Sequence, residues 1–426
     1  MSSLRRVAIT GCGAICSLGS TVPDIWAAIE RRAVGYSRHT FEDERIVAKF
    51  FGLLDTREVD RRCQKFPRGL GRKLSNFAKY AMIAASEALD GAQGEGTISA
   101  FYPAHRRGVI VGTGWGGLDS ANANNNDYRA TRFASPFATI MSMNNAATAI
   151  LSMHYGLRGY QNTPVAACAA GAIAIGEAAE VVRSGRADFV LAGGSESLRQ
   201  VFNVWSIDIL EALSKEQVDL RKACCPFSAD RSGFVLSEGA AILCVEDMEG
   251  ARRRGAPVLA EITGYTNYSD AHDFTAPAPD GEGRCHVIAH ALENARLRPE
   301  EVQYINAHGT STPLNDYYES EAIKSVMGDA ARSVHVSSTK SYTGHLIGAA
   351  GALETILCVK VLETGMVPAT IHLDRPDPRC DLNYTPNEHI RGRRVDACLK
   401  LSFGFGGANA ALVVERPRDA LTRGEQ

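Results

Sequence analysis

Two segments of the chain have no polar face. The first, Ala169-Ala170-Gly171-Ala172-Ile173-Ala174-Ile175-Gly176, stays apolar for two turns before Glu177 and Glu180 appear. The second runs over 346–362, and Glu354 and Lys360 are the charges that interrupt it. A helix that is hydrophobic all round has to be interior. Each segment follows an extended run and a polar reactive residue. Asn162-Thr163-Pro164-Val165-Ala166-Ala167 leads to Cys168, and Val334-His335-Val336-Ser337-Ser338 leads through Lys340 to His345. Leu399-Lys400-Leu401-Ser402-Phe403 then parallels the strand expected over 188–192. Strand, reactive residue, buried helix and strand thus occur twice, which predicts an α/β fold with a duplicated β/α unit.

Cys168 stands at the start of the first buried helix, where free N–H groups and the peptide dipoles favour an anion. That placement predicts a lowered thiol pKa and a nucleophilic thiolate. Two histidines sit at strand ends. His308, in Asn306-Ala307-His308-Gly309-Thr310-Ser311-Thr312-Pro313, lies in a loop of small and hydroxyl residues. His345 follows Gly344, which permits close backbone approach. Nucleophile and bases are recognised by role and geometry rather than chain order.

The 426 residues can bury a large core, and 22% charged residues with a net charge of -2 mark an ordinary globular chain. That balance makes no case for nucleic acid or a membrane surface. No run approaches the roughly 18 apolar residues of a membrane span. The apolar run Val7-Ala8-Ile9 is too short for a signal peptide and predicts a first strand over 7–10. Eleven scattered cysteines fit reduced thiols in a cytoplasm. No ligand set completes Cys12 and Cys16, so no metal site is expected.

Gly11, Gly13 and Gly19 read as turns, helices are expected over 23–31, 74–92 and 146–155, and Gly193-Gly194 ends the strand over 188–192. Gly112-Thr113-Gly114-Trp115-Gly116-Gly117 matches G-x-G-x-x-G. A dinucleotide site would need a helix at the third glycine and an acid ending the next strand. The following stretch, with Asn124-Asn125-Asn126, shows no β-branched strand, so a nucleotide-dependent oxidoreductase is the weaker reading.

At these residues the chain resembles the β-ketoacyl-acyl carrier protein synthases of the elongating I/II type, in the thiolase-like superfamily. The resemblance runs from Val7 to Glu415. It rests on Ala167-Cys168-Ala169, on 306–312, on Ser338-Thr339-Lys340-Ser341-x-Thr343-Gly344-His345-x-x-Gly348-Ala349-Ala350-Gly351, and on Ser402-Phe403-Gly404-Phe405-Gly406-Gly407-x-Asn409. It implies a duplicated αβαβα sandwich, with a nucleophile half over 1–255, a half carrying His308, Lys340 and His345 over 256–418, and a charged tail over 419–426. It implies decarboxylative condensation of an acyl group on Cys168 with malonyl held on an acyl carrier protein. His308 and His345 would promote decarboxylation, Lys340 and Glu354 would support them, and the N–H groups of Cys168 and Phe405 would form an oxyanion hole. Thr310 and Thr312 would hydrogen-bond the pantetheine arm, and Trp115, Phe405 and Phe274 would line the substrate. The phosphopantetheine belongs to the carrier, and the chain itself binds no cofactor. The partners implied are the carrier and an identical or related ketosynthase-like subunit.

Phe405 replaces the second cysteine of a degradative thiolase, and His345 the asparagine of a chain-initiating synthase. Ala166, Ala170 and Ala408 stand where relatives usually carry hydroxyls. Trp115 stands where they carry a smaller aliphatic residue. An indole there predicts a shortened acyl tunnel, since each lost buried methylene forfeits about 0.8 kcal/mol. Together these departures tilt the reading toward polyketide or other specialised synthesis over housekeeping fatty acid elongation. The other reading, from a different class, is a non-condensing partner subunit. Lys65, Arg68, Arg72, Lys73, Arg129, Arg132 and Lys215 are candidate contacts for the acidic carrier.

Overall fold

A computed structural model describes residues 4–417; the tail expected over 419–426 lies outside them. The first half supplies β1 (Val7–Cys16), β2 (Arg107–Gly112), β3 (Gln161–Asn162), β4 (Phe189–Glu196) and β5 (Gly239–Asp247). The second supplies β6 (Ala260–Ser269), β7 (Tyr304–Asn306), β8 (His335–Ser337), β9 (Ala397–Gly404) and β10 (Ala408–Glu415). Among the described residues these ten strands form one sheet, ordered β3-β2-β4-β5-β1-β6-β10-β9-β7-β8. Each half therefore has the same internal order. The directions repeat as well: β3, β2 and β4 are parallel, as are β8, β7 and β9, and the remaining pairs are antiparallel. Two residue pairs, Ala8↔Glu261 and Ile9↔Ala260, join the halves.

Helices complete five layers. α1 (Asn76–Gly91) packs on the outer face of the first half-sheet. α3 (Glu282–Ala295) and α4 (Pro313–Met327) flank the second half. The two all-apolar segments become α2 (Ala170–Arg183) and α5 (Ala350–Thr364), which pack on each other and on strands of both half-sheets, as the central layer. Strand residues alternate between layers: Val190 and Ala192 join the central cluster, Phe189 and Leu191 the outer one. With both faces covered, the strands read as continuous apolar runs.

Of the glycines expected to turn the chain, Gly19 does follow a turn just after β1, where its N–H donates to the Cys16 carbonyl, whereas Gly11 and Gly13 lie inside the strand. A Cβ on Gly11 would stand 2.1 Å from the Ala88 carbonyl, and one on Gly13 2.0 Å from that of Ala84. These glycines let α1 lie against β1. Gly193 and Gly194 likewise sit within β4, the second facing the Gly348 carbonyl at 2.3 Å from an added Cβ. Close approach of two backbones and a turn ask for the same residue, so the glycines alone do not separate them. The helix expected over 146–155 is present at Ala146–Tyr155. The stretch over 35–71 contributes Ser37–Arg38 and Phe50–Gly52 to a small sheet with Leu236–Ser237, and the helix Thr56–Cys63.

Candidate active site

One tight turn, Ala167–Ala169, delivers Cys168 to the start of α2. Ala167 has a φ of 45°, a strained value for a residue with a Cβ. The sulfur is buried, and the N–H groups of Phe405 and of Cys168 itself face it. Gly404 makes this approach possible: a Cβ there would meet the Ala166 carbonyl at 2.9 Å and the Cys168 nitrogen at 3.2 Å.

The second half supplies the imidazoles. His308 follows β7, and its N–H and that of Gly309 donate to the buried Glu319 carboxylate at 2.6 and 2.7 Å. Lys340 Nζ reaches the His308 carbonyl at 2.6 Å, Glu354 at 2.5 Å and His308 Nδ1 at 3.4 Å. Nδ1 faces an ammonium, which only donates, so it accepts and the ring proton sits on Nε2. His345 Nδ1 accepts the Ile347 N–H at 3.2 Å, again placing the proton on Nε2, which is buried and has no hydrogen-bond partner among the described residues. Burial, helped by Lys340, holds both imidazoles well below the usual histidine range. Two neutral rings, 5.3 Å apart and edge to face, therefore present N–H donors. One donor or ligand atom from each of Cys168, His308 and His345 lies within 4.8 Å of the others. With their lone pairs turned to Lys340 and Ile347, the rings as hydrogen-bonded show protons rather than metal-binding lone pairs.

Two expectations need correction. Burial pushes the Cys168 thiol up to about 12, against the opposing pull of the Lys340 charge and the Phe405 N–H. The helix start alone does not make a resting thiolate, because the same burial that places the sulfur there disfavours its charge. His345, for its part, precedes the second tight turn, Ile347–Ala349. The position matching Cys168 in that turn is Gly348.

A cavity of about 310 Å³ is lined by Cys168, His308, His345, Thr310, Thr312 and Phe405 among others. Thr310 and Thr312 hydroxyls are 2.9 Å apart. Trp115 does not line this cavity; it packs against the apolar cluster that contains Cys168, Ile347, Leu198 and Val204. Phe274 is 88% exposed, and what it brings to the site is its carbonyl, which accepts the Gly406 N–H at 2.8 Å. Lys215, paired with the cavity residue Glu211 at 2.8 Å, borders the mouth. None of Lys65, Arg68, Arg72, Lys73, Arg129 and Arg132 lines the cavity: Lys65 donates to Ser86, Arg68 and Arg72 share another hollow, and Lys73 and Arg132 lie over Phe137 and Tyr128.

The glycine loop does open a helix, Leu118–Thr131, yet its amides are already occupied. Glu196 accepts from Gly114 at 2.6 Å, Trp115 at 3.2 Å and Gly348 at 3.1 Å. A carboxylate of the chain stands where a phosphate would, and the next strand, β3, is two residues long. Glu196, Glu319 and Lys400 escaped the sequence reading. Lys400 Nζ lies 2.8 Å from Glu354, so that carboxylate bridges two buried lysines. The signal for Lys400 was a lone lysine in the apolar run 397–403.

A Cys-His-His cluster on a repeated five-strand unit is what the comparisons with known proteins bear on. The N-terminal domain model of the β-ketoacyl synthases matches residues 4–251, and the C-terminal domain model matches 259–374. The chain belongs to the β-ketoacyl synthase family. It is 39% identical to a 3-oxoacyl-[acyl-carrier-protein] synthase 2 of Synechocystis sp., covering 97% of this chain and 98% of that one. Its fold is similar to that of a ketosynthase solved with its type II PKS acyl-carrier protein, at a TM-score of 0.88, 32% identity and 97% and 100% coverage. The ishigamide ketosynthase/chain length factor aligns at 0.87, 30% identity and the same coverage. The synthase fold is therefore the thiolase-like one, duplicated about α2 and α5. Among the described residues no helix is long and apolar enough to cross a membrane.

Proposed function

We propose that this β-ketoacyl synthase catalyses decarboxylative condensation between an acyl group on Cys168 and malonyl on an acyl carrier protein. The carrying observation is the convergence of one thiol and two neutral Nε2–H donors in one buried cavity. Acyl transfer is balanced in protons: the Cys168 sulfur takes the acyl group, and the departing pantetheine sulfur leaves as a thiol. A malonyl thioester then loses CO2, and its carbonyl oxygen takes the developing charge. Nε2–H of His308 and His345 donate to that oxygen. Removing one such donor typically costs about 3 kcal/mol of transition-state stabilisation. The enolate carbon attacks the acyl carbonyl, whose oxygen turns to the N–H groups of Cys168 and Phe405. Collapse returns the sulfur, which takes up one proton, and releases the β-ketoacyl carrier. Lys340, held by Glu354, keeps His308 in its donor tautomer. Thr310 and Thr312 hydrogen-bond the pantetheine arm.

Residues 1–255 act as the nucleophile half and 256–418 as the imidazole half. The carrier and a second ketosynthase-like subunit, identical or related, are the partners, as the solved relatives suggest. The cysteines of the described chain are all free, which supports a reducing cytoplasm. The Trp115 indole, packed against the cluster that holds Cys168 and Ile347, supports short or unusual primers and a polyketide or specialised pathway. The second reading, fatty acid elongation, is favoured by the 39% identity to a 3-oxoacyl carrier synthase. Mass spectrometry of Cys168 after incubation with acetyl, butyryl and palmitoyl carriers tests both. Acyl adducts from the short chains with little from palmitoyl support the proposal. Equal labelling overturns the short-chain assignment, and no adduct overturns the condensing one.

A further inference from the structure

Arg284, in the first turn of α3, is 4% exposed and lines the same cavity as Cys168 and His308. Among the described residues its guanidinium makes one hydrogen bond, Nη1 to the Asn315 carbonyl at 3.2 Å. Its Nε is buried with no partner. The guanidinium carbon stands 4.3 Å from the centroid of the Phe403 ring, and that ring lies 5.8 Å from His308. No carboxylate of the described residues forms an ion pair with it. The acids that face it have other partners: Asp270 accepts Asn409 at 2.6 Å, Glu319 accepts the amides of His308 and Gly309, and Asp316 accepts the Phe227 amide at 2.8 Å. Burial pulls the guanidinium below its ordinary value.

A guanidinium has five donors, and a buried charge is ordinarily paired. Here the pairing is incomplete on a side chain that borders the reaction cavity. The stacking on Phe403 holds the plane in place, which suits fork-like recognition of a planar anion. We propose that Arg284 binds a carboxylate carried by the acyl thioester substrate, and so selects acidic acyl groups over neutral ones. This rests on the condensing role above and names the substrate feature that the cavity recognises. The carboxylate has two sources: the malonyl extender before it loses CO2, or the far end of a dicarboxylic primer.

Unreactive pantetheine amides test this by calorimetry, with malonyl against its methyl ester and succinyl against butyryl. The wild type is expected to bind the charged member of one pair at least tenfold more tightly. A malonyl preference assigns the extender, and a succinyl preference the primer. Arg284→Met should abolish the preference, and Arg284→Lys should restore part of it. The wild-type comparison stands even where a variant folds poorly. Equal binding within both pairs, or a preference that survives Arg284→Met, overturns the assignment. Failure of the condensing role shows elsewhere, as absence of any acyl adduct on Cys168.

Discussion

The first half enters its central helix through Ala167–Ala169 and the second through Ile347–Ala349. Ala167 and Ile347 both carry positive φ, 45° and 49°. Counting from these turns, Cys168 matches Gly348 and Gly171 matches Gly351. Around Gly348 the cradle is filled: Glu196, the last residue of β4, accepts its N–H. Around Cys168 the matching strand end is Gly404, with no side chain, and the N–H groups of Cys168 and Phe405 face the sulfur. The same turn thus makes an anion cradle in each half. One holds a carboxylate of the chain itself, and the other is open to a substrate oxygen. Duplication supplied two equivalent sites, and the chemistry depends on their having become unequal.

The division of roles can be broken first at the imidazoles. His345→Ala should lower malonyl decarboxylation by about a hundredfold to a thousandfold, read as CO2 release, while acyl transfer to Cys168 persists. A fall of under tenfold would move that role elsewhere. The filled cradle is tested next. Glu196→Ala strands the amides of Gly114, Trp115 and Gly348 and should destabilise the protein by about 3 kcal/mol or more in urea unfolding. Glu196→Gln, which keeps one acceptor oxygen, should lose less.

A smaller effect is expected where the two central helices touch. A Cβ on Gly171 would stand 2.6 Å from the Gly348 carbonyl, and one on Gly351 2.8 Å from the Ala172 nitrogen. Either glycine changed to alanine should cost about 1–3 kcal/mol by urea unfolding. The smallest effect concerns pH. His345 is held below its ordinary pKa in the fold, so below about pH 6.5 the unfolded chain binds the extra proton. Its contribution to stability is therefore lost as pH falls. Between pH 6.5 and 5.5, His345→Gln should lose up to about 1.4 kcal/mol less stability than the wild type. Parallel slopes would mean that the ring is already charged in the fold.

How much of this was legible depends on how local each signal is. All-round apolarity leaves a helix one place to go, so α2 and α5, and with them Cys168 and His345, could be placed from the chain alone. The motif at 306–312 marked His308 in the same way. Gly11 and Gly13 were misread because strand-to-helix contact and turning look alike along a sequence. Glu196 was missed because its partners come from Gly114 and from Gly348, far off in either direction. Lys400, on β9, acquires its meaning only from Glu354 on α5, 46 positions earlier in the chain. The thiolate expectation failed on magnitude: dipole and burial oppose each other at Cys168, and composition does not show which is larger. Phe274 was placed by resemblance, but its side chain is exposed and does not line the cavity.

The central claim is that the sulfur of one half and the imidazoles of the other carry separable steps in a shared cavity. Measuring labelled acyl uptake and CO2 release from malonyl carrier on Cys168→Ala and His308→Ala tests it most directly. The account predicts that Cys168→Ala takes up no acyl group yet still releases CO2, while His308→Ala is acylated but releases CO2 at least a hundredfold more slowly. Acyl uptake surviving in Cys168→Ala, or undiminished CO2 release in His308→Ala, would contradict it.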